Sequence, residues 1–293
     1  NSFSEQEIIA AALKADAQMQ AQGIVAVGDI ANSTFSFAAK KDSAIFYHTF
    51  FEVIGFNPAA ADKIISDALQ MQVAAKLSHS SIVPHAPYSV SSKLMELIND
   101  LPNNQTISIH NQESAAENIF MQTASGDFTR LYEKFGIDIS HFKAGYDSSL
   151  AAYIHLFQAK KMGLVHNTFM SPADMQLAKN SANEMYYVIC ANANLFIENK
   201  LPDIAFLQAA GANICLGTDS LASNHSLSIL SEINTIRTAY PQIPLAELLQ
   251  WATLNGAAFL GIEEQFGAFK IGSKPGINLI AKDLKSLQVI ASA

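Results

Sequence analysis

The stretch Ile214-Cys215-Leu216-Gly217-Thr218-Asp219-Ser220-Leu221-Ala222-Ser223-Asn224 decides how the rest of the chain is read. Three apolar residues run into Gly-Thr-Asp, the pattern of a short buried strand that delivers a carboxylate at its C-terminal end. Catalytic groups of an α/β barrel sit at that end of a strand. Alone, the segment also fits an Asp that caps the following helix. Other apolar strands with chemistry at their ends are what would separate the two.

Six further runs have the strand form: residues 24–30, 44–51, 81–85, 105–110, 163–166 and 186–190, with 213–217 as the seventh. Helical patterns lie between them. Residues 5–22 space Ile8, Ile9, Ala12, Leu13 and Ala17 along one face and stop at Gly23. Helices are also expected over 62–77, 92–100 (capped by Ser91 or Ser92), 118–135, 149–161, from Ser171-Pro172-Ala173-Asp174 onward, 202–210, and 244–260 with a break or bend at Asn255-Gly256. From residue 266 the character changes. Gly267, Gly272, Pro275 and Gly276 punctuate short β-like runs that suggest a small appended β element.

Strict alternation of strands and helices implies a parallel sheet. A closed (β/α)8 barrel needs eight strands, so the expectation is an α/β, TIM-type barrel lacking its first strand in this chain, the missing unit lying before Asn1. An open doubly wound sheet competes, but no Gly-rich loop joins a first strand to a first helix for a nucleotide.

Composition narrows the function classes. The chain has 293 residues, 49% hydrophobic and 15% charged, with net charge −8, a pI near 5.4 and a mean hydropathy of +0.16. That describes a well-buried globular protein, and no Lys or Arg run is long enough to track a phosphate backbone, which argues against nucleic acid as a partner. No apolar segment is long enough for a bilayer and no signal-peptide pattern opens the chain. Cys190 and Cys215 lie in apolar runs and are expected as buried thiols, favouring a cytoplasmic protein.

The strand ends carry the chemistry. His85 follows Ile82-Val83-Pro84, His110 follows Ile107-Ser108-Ile109, His166 follows Leu164-Val165, and Asp219 follows Leu216-Gly217-Thr218. Each alone fits a core histidine or a capping Asp, whereas imidazoles and a carboxylate converging in one cleft suit a divalent metal such as zinc, or iron. Glu113, three residues past His110, can reach over such a site as a proton shuttle or sit as an acid in a first helical turn. His225, next to Asn224, is a candidate for the mouth of the site with a surface role as the alternative, while His48, His141 and His155 are read as packing or surface groups.

These residues resemble the amidohydrolase superfamily, in its branch of chlorohydrolases and purine- or cytosine-type deaminases. The matching segments are Pro84-His85-Ala86-Pro87-Tyr88-Ser89-Val90, His110 through Glu113, Val165-His166, Leu216 through Asn224, Ala252 through Ala257, and FGAFKIGSKPGINLI from Phe266. The resemblance implies a catalytic barrel over residues 1–262 and a remnant of a composite β-sandwich over 263–293. It implies His110 and Asp219 as ligands of one divalent metal, His166 as a further ligand or a hydrogen-bond partner of the bound water, and Asp219 as general base. Glu113 would protonate a ring nitrogen, and His85 and Asn224 would touch a small heterocyclic substrate that is deaminated or dechlorinated. Homo-oligomers are compatible with the apolar content.

One departure is large. Superfamily members carry His-x-His at the end of strand one, and this sequence contains none. The resulting expectation is that the natural protein supplies the pair upstream, and that the 293-residue chain holds metal weakly or not at all and hydrolyses little. A barrel that lost its chemistry and serves as a binding or scaffold protein is the alternative; an open-sheet enzyme using His110 and Glu113 without metal is a third.

Overall fold

The computed structural model describes residues 3–158 and 160–293. Asn1, on which the expectation of an upstream strand rests, and Ala159, within the expected 149–161 helix, lie outside the described residues.

All seven anticipated strands form: β1 (Ala26–Ala31), β2 (Phe46–Val53), β3 (Ser80–Pro84), β4 (Thr106–Asn111), β5 (Lys161–His166), β6 (Glu184–Ile189) and β7 (Asn213–Leu216). They pair in parallel, in sequence order, as a β1-β2-β3 sheet and a β4-β5-β6-β7 sheet. Parallel strands are covered on both faces, which is why their sequences read as near-continuous apolar runs; Phe50, Phe51, Ile82, Val83, Ile107, Ile109, Met162 and Leu164 are all buried. Hydrogen bonds cross the seam between the sheets near both ends. His110 N–H donates to His85 O (2.9 Å), and the Asn104 side chain exchanges two 2.9 Å bonds with the backbone of Ile82. A single apolar core joins residues of both sheets.

The helices are α1 (Glu5–Ala21), α2 (Phe37–Lys41), α3 (Ala61–Ala75), α4 (Ser92–Asp100), α5 (Ala115–Thr123), α6 (Asp127–Phe135), α7 (Ser149–Tyr153), α8 (Pro172–Asn180), α9 (Ala191–Glu198), α10 (Ile204–Ala209), α11 (Ile229–Ala239), α12 (Leu245–Ala252) and α13 (Leu254–Leu260). Local chemistry sets their starts. Ser91 caps α4 by accepting from Leu94 N–H, and Ser171 and Asp174 form a capping box with Pro172 at the first turn of α8. Helix α13 packs Phe259 against Phe50 of β2 (ring centroids 6.0 Å apart) and Tyr186 of β6 (5.3 Å). Gly163 of β5 leaves the room that the Phe259 ring fills. One ring thus touches strands of both sheets.

Several expected boundaries differ. The 118–135 segment is two helices, because Ala124 (φ 52°) and Gly126 (φ 93°) turn the chain through left-handed conformations. Among the described residues of the 149–161 segment, α7 and a 3-10 turn (Ile154–Leu156) are the helical pieces, and Lys161 already belongs to β5. Beyond them Asn183 supplies the backbone partners, donating to Phe157 O and accepting from Lys160 N–H. The last long helix breaks at Thr253 (φ −132°, ψ −82°), not at Asn255-Gly256. There the Thr253 hydroxyl donates to Leu249 O (2.7 Å), and Asn255 ties the next turn to Ile214 O of β7 (2.7 Å). Helices α2, α9 and α11 were not anticipated.

The tail folds as an antiparallel hairpin, β8 (Ile277–Ile280) with β9 (Leu287–Ala291), tied back to the turn that follows α1 by Asn278 Nδ2 donating to Gly23 O (2.9 Å). No helix among the described residues is long and apolar enough to cross a membrane.

Candidate active site

The chemistry-bearing residues collect at the C-terminal ends of β2 to β5 and β7. His110, the penultimate residue of β4, is central. Its Nδ1 lies 2.9 Å from His166 Nε2, the two rings stacked at 15° with centroids 5.1 Å apart. Its Nε2 lies 3.7 Å from Glu52 Oε1, and the His85 ring is 5.0 Å away. Glu113 Oε1 lies 3.4 Å from His166 Nε2.

Hydrogen bonds fix these groups from behind. The Ser89 hydroxyl, 2.7 Å from His85 Nδ1, is 3.1 Å from Ala86 O and donates to it. Ser89 Oγ therefore accepts from His85 Nδ1–H, leaving the His85 Nε2 lone pair free. Beneath Glu113, the fully buried Glu117 carboxylate accepts from Gln112 N–H (2.8 Å), Glu113 N–H (3.3 Å) and the Ser149 hydroxyl (2.5 Å). Asp174 accepts from Gln112 Nε2, Ser171 and Ser148. The side chain and backbone of Gln112 are thus held from two sides. Asn194 Nδ2 stands 3.3 Å from His166 Nδ1 and donates to Thr168 Oγ1 at 2.7 Å, while its buried Oδ1 has no partner.

The backbone at these strand ends is unusual. Gln112 (φ 48°), His166 (79°), Asn167 (60°) and Asp219 (55°) all occupy the left-handed region, and none is glycine. The conformation turns each side chain off its strand at the level of the site.

Electrostatics follow from burial. His166 is held well below the usual imidazole range by burial and by the neighbouring His110, against the pull of Asp219. Burial also works to lower His110, but the nearby carboxylate of Glu52, with Glu113 and Asp219, overcomes it and raises the ring. His85 is lowered, chiefly by burial. Glu113 is raised by burial, with Asp219 and Glu198 adding to the effect and His110 opposing it. A carboxyl raised in this way is better able to deliver a proton near neutral pH.

The structure brings His85, His110, Glu113 and His166 together. Asp219 is close enough for its charge to bear on His110, His166 and Glu113, and its carboxylate accepts from Ser223 Oγ. Asn224 is buried and its amide is engaged within the chain, Nδ2 donating to Thr218 O (2.7 Å) and Glu232 Oε1 (2.8 Å); it shapes the loop that carries Asp219. His225 packs edge-on against Phe196. Three residues escaped sequence reasoning: Glu52, Glu117 and Asn194. Only Glu52 carried a signal, as a lone acid inside Phe50-Phe51-Glu52-Val53.

The donor atoms at the site suit a divalent metal. His110, Glu113 and His166 each offer one ligating atom within 4.8 Å of the other two, as do Glu52, His85 and His110. Two imidazoles and a carboxylate are a recognised zinc donor set. The residues therefore fit a metal of this class, although Asp219 belongs to neither group of three.

The chain is similar to known proteins. The profile of the Amidohydrolase family matches residues 6–292. An adenosine deaminase of Helicobacter pylori is 27% identical over 250 residues, covering 82% of this chain and 60% of that protein. An aminodeoxyfutalosine deaminase of Nitratiruptor is 25% identical over 269 residues, covering 88% and 64%. The crystal structure of Helicobacter pylori aminofutalosine deaminase superposes with a TM-score of 0.75 at 26% identity, over 86% of this chain and 65% of that one. The chain thus spans less than two thirds of the length of these relatives.

Proposed function

Because the chain belongs to the amidohydrolase family, we propose that it carries the hydrolytic centre of a metal-dependent deaminase acting on a carbon–nitrogen bond of an aminated heterocycle, in the class of adenine nucleosides on which its relatives are named. The observation that carries this reading is the convergence of His110, His166 and Glu113 at the ends of β4 and β5, with the charge of Asp219 bearing on all three. Deamination is favoured over dechlorination because the relatives similar in sequence are deaminases.

On this reading residues 1–262 are the catalytic barrel, its two sheets one arc of a (β/α)8 cylinder, and 263–293 the remnant of a sandwich. His110, His166 and Asp219 would hold the ion, of the zinc or iron class. When bound, such an ion supplies a Lewis acid and a water acidified toward neutrality. Asp219 takes the proton from the attacking water and passes it to the departing amine. Glu113, its proton retained by burial, delivers it from Oε1 to the ring nitrogen beside the carbon under attack. His166, kept neutral by burial, either holds the ion through Nε2 or makes one hydrogen bond there to the attacking water, in both cases without adding charge. His85 Nε2 faces the heterocycle, and Asn224 fixes the loop that carries Asp219.

The test is ammonia release from adenosine and 5-methylthioadenosine by the full-length, metal-loaded protein. Release that stops on chelation and falls roughly 10²–10⁴-fold in Glu113→Gln is the expected result. Metal-loaded protein that releases nothing, or a Glu113→Gln variant at full rate, overturns the reading and leaves a barrel that binds without reacting.

A further inference from the structure

Glu52 is the starting point. Its side chain is only 7% exposed, yet it accepts no hydrogen bond from any described residue; its nearest partner is His110 Nε2 at 3.7 Å. At 3.7 Å the pair is too far apart for a hydrogen bond. It is close to the separation of two atoms bound to one ion: with bonds of about 2.0–2.1 Å, tetrahedral ligands stand about 3.3 Å apart and opposed ones about 4 Å.

The three strands bring a third ligand to the same level. Glu52 is in register with Val83 on β3; two residues on, His85 N–H donates to Val53 O (3.1 Å), and His110 N–H donates to His85 O (2.9 Å). One ligating atom from each of Glu52, His85 and His110 lies within 4.8 Å of the other two. Tautomers can favour the arrangement. Ser89 holds the proton of His85 on Nδ1, so that Nε2 presents a lone pair. His110 donating Nδ1–H to His166 Nε2 leaves its own Nε2 lone pair toward Glu52. His166 then carries its proton on Nδ1, and a half-turn of the Asn194 amide brings the unpartnered Oδ1 to receive it.

We propose that Glu52, His85 and His110 form a seat for a zinc-class divalent ion, on the Nε2 side of His110 and away from His166. The seat shares His110 with the catalytic reading but does not require deamination. It uses the His85 nitrogen otherwise left to the heterocycle, so an ion there would meet the substrate in place of that side chain.

The experiment is Zn(II) titration of metal-free, full-length Asp219→Asn protein against a chromogenic chelator, with Co(II) absorption as a second readout. Removing the Asp219 carboxylate disables the catalytic seat and leaves this one intact. The expected result is Zn(II) binding that weakens at least tenfold on adding either Glu52→Gln or His85→Asn, each with loss of the Co(II) d–d band. His85→Gln serves where His85→Asn fails to fold by circular dichroism. Absence of binding in Asp219→Asn, or binding indifferent to both further changes, overturns the seat. So does weakening by Glu52→Gln alone, which would make Glu52 an orienting partner of His110. Ammonia release, measured separately, tells failure of this seat from failure of the catalytic reading.

Discussion

Gly163→Ala tests how the two sheets share an interior. Gly163 has an ordinary backbone conformation, so the substitution brings no left-handed strain; the effect is steric. A Cβ at this position would lie 2.5 Å from Phe259 Cζ and 3.0 and 3.1 Å from Cε1 and Cε2. The ring cannot simply swing aside, because Phe50 stacks on it at 25° and Tyr186 packs at 44°. Overpacking of this kind costs about 1–3 kcal/mol. For a chain of this size that corresponds to a fall in Tm of roughly 2–12 °C. The assay is thermal and urea unfolding of wild type, Gly163→Ala, Phe259→Leu and the double variant. Removing part of the ring should relieve the clash, so the double variant should be more stable than the sum of the single losses by about 1–2 kcal/mol. Gly163→Ala melting within a degree of wild type, or strictly additive losses, would refute the packing of α13 between the sheets.

Other perturbations have equally definite signs. Burial pushes the Glu117 carboxyl from 4.5 up to about 7. Its stabilising contribution is therefore complete below pH 4.5, fades as pH rises to 7 and is flat above, by at most about 3 kcal/mol; relative to Glu117→Gln, wild type should lose stability between pH 5 and pH 8 in urea unfolding, and parallel profiles would refute it. Asp174→Ala strips the acceptor from Gln112, Ser148 and Ser171 and should cost at least about 2 kcal/mol, read as a lower urea midpoint at constant m-value. Gly261→Ala places a side chain at φ 71° where nothing lies within 4 Å, so only backbone strain of roughly 1–2 kcal/mol should appear, with no change in metal binding.

Much of this was legible because parallel strands buried on both faces leave an apolar run that ends abruptly in chemistry. Ile107-Ser108-Ile109-His110 and Leu164-Val165-His166 needed no partner information to be read. Helices gave themselves away where caps and faces coincide, as at Ser91 and Ser171. Two of the three that were missed lack that coincidence: α9 begins at Cys190 without a side-chain cap, and α2 has only five residues; α11 carries its cap at Ser228. Glu52 was hidden because its meaning depends on β2, β3 and β4 lying side by side, which no local pattern encodes. The left-handed turns at Gln112, His166, Asn167 and Asp219 were likewise invisible, since sequence signals such turns through glycine and none is present. The last helix breaks at Thr253, whose hydroxyl bonds back to Leu249 O, whereas the neighbouring Asn-Gly pair carried the more conspicuous turn signal.

Those four left-handed residues also bear on how this protein can be altered. Each holds a conformation that glycine would adopt at less backbone cost, but the buried side chains of Gln112 and Asn167 donate to Asp174 and to Leu164 O, so glycine there would exchange strain for lost hydrogen bonds. The same changes would slacken the turns that aim Glu113 and His166. Strain and chemistry reside in the same few peptide units, and a sturdier version of this molecule is better sought at α13, the hairpin or the surface, where a substitution does not redirect the side chains at the strand ends.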